Sequence, residues 1–504
     1  MRFSVEEIVS ATAGTLVLDA ASDNCTANSL TWDSRDVAPG SLYVAIVGSR
    51  VDGHKFLADA ARAGAVCMLV SARPAPSVLA ELEALGAAVV LVADTQEAIC
   101  ALASAWRKQL ACNVIGITGS SGKTTTKNFV RGVLERFGSV CATLGNQNNE
   151  LGLPATVLRA SKASKFLVCE MGMRGAGQIA SLCKIAKPTL GVITNVGTAH
   201  IDILGSERAI AHAKAELFAA LPAFGAAFVN VTGGFANELC EIAELEQRGV
   251  PIVAFDGSGQ NPNALATFCV KTGASKAVWA EGVELQTNGC ASFTLCAAGF
   301  EGNSAAANKE NTSSKQSVVK AKCTLALSGK HNVTNACAAA ALGLYLGVPI
   351  KSVAQALEST SPESGREQVI CTHSGISIID GSYNANPASM AAALDVLASA
   401  KTSGKRIAVL GTMAELGSFA ESAHAQIGSH VAALPIAALV CVGGEGKFIA
   451  QGAISAGFPK GAVTCVENAE EALKVLQGIA KESDVVLVKA SRALALEHII
   501  EGLV

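Results

Sequence analysis

Charge and aromatic rings are scarce in this chain of 504 residues: 16% are Asp, Glu, Lys or Arg, and Trp and Tyr occur three times each. A net charge of −3 leaves no basic footprint for a phosphate backbone, and 4% aromatics leave few platforms on which bases stack. Nucleic acid is therefore not an expected partner, and a small or modestly charged substrate fits better. Long apolar runs are missing too. The charge-free run Ala336 to Ile350 falls short of the ~18 residues of a membrane span, so it reads as a buried helix and no membrane insertion is expected. The opening MRFSVEEIVSATAG carries Glu6 and Glu7 where a secretory leader would be positive. The expectation is a cytoplasmic monomer whose mature chain begins there. No Cys-x-x-Cys pair occurs among sixteen cysteines, and many sit in apolar runs such as AVCMLV and FLVCE, where cysteine acts as a small hydrophobe.

Half the residues are hydrophobic, and the length suggests about three domains at ~100 to 200 residues each. Short β-branched runs alternate with Ala/Leu-rich helical stretches, which predicts an α/β protein with mainly parallel sheets. Three textures divide the chain. Residues 1–90 read as a small α/β module, in which Pro39-Gly40 marks a turn before a strand. Residues 91–360 hold a helix near Thr95 to Leu110, a strand at Asn113 to Thr118, and further strands at KFLVCE, TLGVITN, AAFVN and PIVAF. Residues 361–504 repeat the pattern with GISIID, RIAVLG, ALVCVGG and DVVLVKA, spaced as in a doubly wound, Rossmann-like sheet. Between Cys296 and Lys322 a polar, small-residue-rich stretch reads as a long surface loop joining two strands.

Gly119-Ser-Ser-Gly122-Lys123-Thr124 follows an apolar strand and precedes a helix with Phe129, Val130 and Val133 on one side. That setting makes a phosphate loop. Glycines let backbone N–H groups crowd around phosphate oxygens, the helix N-terminus adds its positive end, Lys123 neutralises charge and Thr124 can ligate Mg²⁺. The common spacing Gly-x-x-x-x-Gly-Lys is nonetheless broken, since Ile117 stands five residues before Gly122.

Glu170 ends the strand KFLVCE, where a carboxylate faces either a ligand crevice, as a metal ligand, or plain solvent. His200 in TNVGTAHIDILGS is a lone histidine, structural or functional on these grounds alone. Lys214 says more. In SERAIAHAKAELFAAL, residues Ile210, Ala213, Leu217 and Phe218 form the inward stripe of a helix, and Lys214 falls within it. Burial lowers a lysine pKa and exposes a nucleophilic amine, which can take up CO₂ as a carbamate and so become a Mg²⁺ ligand; the other outcome is an aliphatic stem that carries its charge out to water.

Taken in order, GITGSSGKTTT, GNQNNELGLP, CEMGMRGAGQIA, AHAKAELF, GKHNVTNACAAAA, IDGSYNANPASM, AELG and VKASR resemble the Mur ligase family, closest to its dipeptide-adding branch. The likeness runs from Thr31 to about Glu497, and the family's own loop is Gly-x-x-Gly-Lys-[Ser/Thr]. It implies an N-terminal UDP-sugar module, a central ATPase domain and a C-terminal Rossmann-like domain. The implied activity is an ATP-dependent, Mg²⁺-assisted amide ligase of peptidoglycan precursor synthesis, with UDP-N-acetylmuramoyl-tripeptide and D-alanyl-D-alanine as substrates. Ser34 and Arg35 would contact the uridine end, and Asn146, Asn148 and Asn149 the muramoyl peptide. Gly119, Ser120, Ser121, Gly122, Lys123, Thr124 and Thr125 would cradle the ATP phosphates, Asn332 the adenine, and Arg366 the phosphates again, with Asp380, Tyr383 and Asn384 on the C-terminal side. Thr124 and Glu170 would hold one Mg²⁺, and His200 with carbamylated Lys214 would serve a second. Lys123, Glu170, His200 and Lys214 would carry the chemistry.

Two positions depart from the family pattern. Gly381 stands where Asp is usual, with Asp380 one residue earlier, and Thr412 stands where the family has Asp or Glu before Met-Ala-Glu-Leu-Gly. Two alternatives stay open: a sibling ligase, either the tripeptide-forming member, whose Asp-Asn-Pro-Arg run is absent, or a folylpolyglutamate synthase, and a non-catalytic nucleotide-binding scaffold.

Overall fold

A computed structural model describes residues 1–19, 25–260, 262–286, 289–300, 318–363, 365–366 and 368–504. Its backbone packing forms two compact units, each discontinuous in sequence. The first gathers residues 1–116, 138–173 and 178–190, and the second residues 117–137, 174–177 and 191–504. The chain thus leaves the first unit inside the strand Asn113–Thr118.

The first unit contains a five-stranded sheet in the order Thr15–Leu18, Ala88–Leu91, Ala65–Val70, Ser41–Val44, Ser29–Thr31. Its strands run parallel except for the antiparallel edge Thr15–Leu18. The continuous apolar runs AVCMLV and AVVL suit strands covered on both faces, and Met68, Val70 and Val89 are buried with Tyr43 and Leu82 in one core cluster. Ser41–Val44 follows Pro39-Gly40 as the turn residues predict. The helix Thr95–Arg107 opens on Asp94, whose carboxylate accepts from the Gln96 and Glu97 amides, and it ends three residues before Leu110, the limit the sequence suggests. A second parallel pair in this unit joins Val140–Ala142 to Phe166–Glu170.

In the second unit Ala226–Asn230, Ile252–Asp256 and Lys276–Leu285 run parallel, and two long strands, Cys290–Ala298 and Val319–Ser328, extend them antiparallel. The surface loop expected at 296–322 is shorter than its composition suggests. Cys296 pairs with Lys320 and Leu295 with Ala321, so both flanks are strand, because the long neighbouring strand offers a ladder that local polarity does not reveal; residues 301–317 lie outside the described residues. A six-stranded sheet completes the unit in the order Gln368–Cys371, Ser377–Gly381, Val485–Lys489, Arg406–Gly411, Ala438–Val442, Val463–Val466. Only the Gln368–Cys371 edge is antiparallel. The apolar run at 336–350 is buried helix as far as Tyr345, within the helix His331–Tyr345, and Ile350 starts the next one.

All sixteen cysteines are free thiols, ten of them buried, as their apolar settings predict. No helix among the described residues is long and apolar enough to cross a membrane.

Trp106 shows how the first unit is held. Its ring packs edge-on against Phe3 with centroids 5.6 Å apart, and its indole N–H donates to the Ala160 carbonyl at 2.7 Å. Trp106→Ala empties that space and strands the carbonyl, so it is expected to cost about 3–5 kcal/mol, read as a lower urea midpoint of the first unit's transition. Trp106→Phe, which keeps an aromatic ring but loses the hydrogen bond and part of the indole's volume, is expected to cost less, about 1–3 kcal/mol.

Candidate active site

The phosphate loop lies in the second unit, pressed against the turn that follows the strand Leu190–Ile193. Gly119 has φ +155°, and a Cβ there would fall 1.8 Å from Thr194 Oγ1; Gly122 has φ +75°, and a Cβ there would fall 2.4 Å from Asn335 Oδ1. Only glycine fits either place. The loop is also bonded to its seat. Thr194 Oγ1 donates to the Ser121 carbonyl at 2.6 Å, the Ser121 amide donates to Asn195 Oδ1 at 3.0 Å, and Ser120 Oγ accepts from the Gly197 amide at 2.9 Å. The helix Lys123–Glu135 then starts at Gly122 and buries Phe129, Val130 and Val133. Lys123 Nζ folds back to the Gly119 carbonyl at 2.7 Å. Thr124 is buried and Thr125 lies in the first helical turn.

Lys123, His200 and Lys214 share one electrostatic corner. Lys214 is 1% exposed within the inward stripe of the helix Glu207–Ala219, so its stem does not carry the charge to water. No hydrogen-bond or ion-pair partner meets its amine among the described residues. Burial pushes its pKa well below the ordinary value, and the Lys123 charge adds to that push. Burial also lowers the His200 pKa; Lys123 and Lys214 push the same way, and Glu415 opposes them. His200 adopts the left-handed conformation, φ +66°, and its Nδ1 meets the Glu415 carboxylate at ion-pair distance but outside hydrogen-bond geometry.

Behind the loop, Thr126 Oγ1 donates to Asn335 Oδ1 at 3.3 Å, Asn335 Nδ2 donates to Asn332 Oδ1 at 3.0 Å, and Asn332 Nδ2 donates to the Ser328 carbonyl at 2.7 Å. This buried relay fixes Asn332 relative to the helix Lys123–Glu135. Farther along the chain, the Arg366 guanidinium stacks on the Tyr383 ring 4.2 Å from its centroid and lies 3.6 Å from Glu363. Glu363 also pairs with buried Lys127 at 3.3 Å. Asp380 is occupied structurally. One oxygen accepts from the Gly365 amide at 2.8 Å and the other from the Ser382 amide and hydroxyl, at 3.1 and 2.6 Å. Asn384 gives its carbonyl to Lys489 Nζ at 3.2 Å.

The first unit holds the remaining residues. Glu170 is buried rather than solvated, accepting from Asn148 Nδ2 at 2.7 Å. Asn149 Oδ1 accepts at 3.0 Å from the amide of Gly152, the first residue of the helix Gly152–Arg159, and the Asn146 carbonyl accepts from the Asn148 amide at 2.7 Å. Ser34 and Arg35 form a 3₁₀ turn headed by Asp33, with Arg35 exposed and its charge pairing with Asp33 at 2.5 Å. Sequence reasoning missed Thr194, Asn195, Asn335 and Glu415. All four lie inside stretches quoted above, Thr194 and Asn195 in TNVGTAHIDILGS, Asn335 in GKHNVTNACAAAA and Glu415 in AELG, but the residue pattern alone assigns none of them a task.

Family models account for most of the chain: the Mur ligase family, catalytic domain over residues 26–107, the Mur ligase middle domain over 117–343, and the Mur ligase, glutamate ligase domain over 365–492. The chain belongs to the Mur ligase family. Three Mur ligase domains therefore follow one another along it. It is 36% identical to the UDP-N-acetylmuramoyl-tripeptide–D-alanyl-D-alanine ligase of Mycobacterium tuberculosis, across 99% of this chain and 96% of that protein. In fold it is similar to MurF from Acinetobacter baumannii, with a TM-score of 0.80 and 29% identity over 100% of this chain and 99% of the other. MurF ligase from Thermotoga maritima in complex with ADP gives 0.71 and 25%, over 96% and 98%.

The residues fit the groups that this family uses. The glycine cradle and Lys123 suit a polyphosphate. The Thr124 hydroxyl and, in the other unit, the Glu170 carboxylate are each the hard oxygen kind of donor that Mg²⁺ prefers; among the described residues no three His, Cys, Asp or Glu gather as a metal-binding group.

Burial of Lys214 has a consequence for stability. Its folded pKa lies below the ordinary 10.5, so between those two values the unfolded chain binds more protons and stability rises with pH. The penalty is complete below the folded value and vanishes above the unfolded one. In CO₂-free buffer Lys214→Met is therefore expected to melt higher than the parent, by a wider margin at pH 7 than at pH 10.

Proposed function

We propose that this chain is an ATP-dependent amide ligase that joins D-alanyl-D-alanine to the terminal carboxylate of UDP-N-acetylmuramoyl-tripeptide, a step in building peptidoglycan precursor. It works as a cytoplasmic monomer on these two small substrates, with residues 1–90 taking the UDP-sugar, 91–360 the ATP and 361–504 the C-terminal side of the site. The observation that carries the reading is the corner of Lys123, His200 and Lys214 behind a glycine cradle, in a chain similar along nearly all its length to ligases of that name.

A carboxylate is a poor electrophile. In the first step a tripeptide carboxylate oxygen attacks the γ-phosphorus of ATP, the bond to the β-phosphate oxygen breaks, and ADP leaves behind an acyl phosphate. In the second step the free amine of the dipeptide attacks the acyl carbon, loses a proton, and inorganic phosphate departs as the amide forms. The chain forms no covalent bond to substrate; it positions groups and offsets charge. Gly119 to Thr125 present backbone N–H groups and the helix N-terminus to the phosphates, and Lys123 turns from the Gly119 carbonyl to the transferring group. Bound Mg²⁺ would spread the charge of the phosphoryl oxygens. In this reading Thr124 and Glu170 would hold one such ion, and His200 with carbamylated Lys214 would serve another. Asn332 faces the adenine, Arg366 with Tyr383, Asn384 and Asp380 the C-terminal side of ATP, Ser34 and Arg35 the uridine, and Asn146, Asn148 and Asn149 the muramoyl peptide. A lysine so buried and unpaired is costly for a mere scaffold to keep.

Incubation with ATP, Mg²⁺, D-alanyl-D-alanine and UDP-N-acetylmuramoyl-tripeptide, ending in either lysine or diaminopimelate, is expected to give the pentapeptide with ADP and phosphate in equal amounts. Absence of product with both tripeptides would defeat the proposal. Lys214→Ala is expected to lower kcat by ~10²- to 10³-fold, a loss that added bicarbonate does not restore.

Gly381 tests the departures from the family. A Cβ there would lie 3.3 Å from the Lys489 side chain, so the carboxylate of Gly381→Asp would pair with Lys489. The variant is expected to fold and to turn over ATP at the parent rate; a large gain would show that the natural chain lacks a contact it needs.

A further inference from the structure

The loop after the strand Arg406–Gly411 is held from inside. The Met413 amide donates to Nε2 of wholly buried His424 at 2.8 Å, and the other ring nitrogen of His424 lies 2.7 Å from the Ala420 carbonyl. With the Met413 amide donating to it, Nε2 is the accepting nitrogen of the ring, and Nδ1 is the one that faces the Ala420 carbonyl. The Ala414 amide donates to Ser491 Oγ at 2.8 Å, and the Ser491 amide donates to the Thr412 carbonyl at 2.9 Å. The chain then turns through Glu415 at φ +62°. Two residues on, Gly417 at φ +52° brings the loop so near the helix Ile201–Leu204 that a Cβ would fall 2.7 Å from the Asp202 Cβ. Left-handed backbone at a glutamate is costly and persists only where its surroundings insist on it.

That turn aims the Glu415 carboxylate at His200, itself left-handed. One oxygen meets His200 Nδ1, and the other lies 3.5 Å from Arg174 Nε. Arg174 is tethered in turn, because Gly177 in the same short segment donates its amide to Glu216 at 2.6 Å, on the helix that carries Lys214. An exposed ion pair would be worth too little to account for two strained residues facing each other. A histidine that serves a ligand through one nitrogen is, however, commonly oriented by a carboxylate at the other.

We infer that Glu415 is a positioning residue for the ligation: by engaging Nδ1 it fixes the His200 ring so that Nε2 is the nitrogen turned to the reaction, and it does so only when the 412–417 loop is seated on residues 200–204. The inference rests on the proposed role of His200. It assigns the AELG motif a task that its sequence does not announce.

Steady-state ligation assays and melting curves on Glu415→Gln, Glu415→Asp, Gly417→Ala and His200→Ala test it. Glu415→Gln is expected to lower kcat by ~10- to 100-fold while the KM for ATP and the melting midpoint stay at parent values, and Glu415→Asp to recover part of the loss. Gly417→Ala, which changes no charge but lifts the loop from Asp202, is expected to lower kcat in the same way. Parent kcat in Glu415→Gln overturns the inference, as does a kcat loss matched by a raised KM for ATP and a lower melting midpoint. If His200→Ala is inactive while Glu415→Gln is not, this inference alone falls. If His200→Ala keeps parent kcat, the role of His200 falls and takes the inference with it.

Discussion

The ammonium group of Lys214 sits in the interior beside the charge of Lys123, and among the described residues no carboxylate is bonded to it. Burial chiefly, and the charge of Lys123 in addition, disfavour the charged form of Lys214, and an anion arriving at the loop would offset the charge of Lys123. The phosphate loop is built to receive such an anion. Its curvature is set by hard contact, with Thr194 and Asn335 filling the places where side chains at 119 and 122 would stand. The lysine that the loop carries is held against a loop carbonyl in the meantime. Stability is sacrificed at this corner for reactivity, the usual bargain at a site of chemistry.

Much of this was legible in the sequence because it rests on short-range signals. Apolar β-branched runs buried on both faces announce parallel strands, and the strand, glycine loop and helix around Lys123 form one contiguous segment. The stripe Ile210, Ala213, Leu217 and Phe218 placed Lys214 inside a helix without any knowledge of what packs there, and all five residues are buried. The unread part is through-space. Thr194 and Asn195 follow the end of a strand, where a turn is the ordinary explanation, Asn335 sits inside the helix His331–Tyr345, and only the fold shows that they grip the loop. Glu415 reaches His200 across more than two hundred residues of chain. The strand Val319–Ser328 went unseen at its start because VKAKC alternates small and charged residues, and its partner, not its composition, makes it a strand.

The acids missing at 381 and 412 leave the C-terminal corner organised by backbone hydrogen bonds. Lys489 donates to the Asn384 carbonyl, Asp380 braces Gly365 and Ser382, and His424 with Ser491 fixes the segment around Thr412. Geometry is thereby kept where local negative charge is not. What the substitutions change is the field at that corner rather than its shape.

The passage of the chain out of the first unit at Gly116 and back at Gly138 bears on how the molecule is made. Trp106 emerges from the ribosome well before Ala160, the carbonyl its indole will bond, and Met1 waits still longer for the Leu158 carbonyl that receives its amino group. A nascent chain that has just finished the phosphate loop thus has neither unit complete: the first needs residues up to 190, and the second needs nearly everything after. The core around Met68 and Val89 draws on residues 17–91 alone and can close early, whereas the Trp106 side of the helix Thr95–Arg107 waits through that interval for its partner.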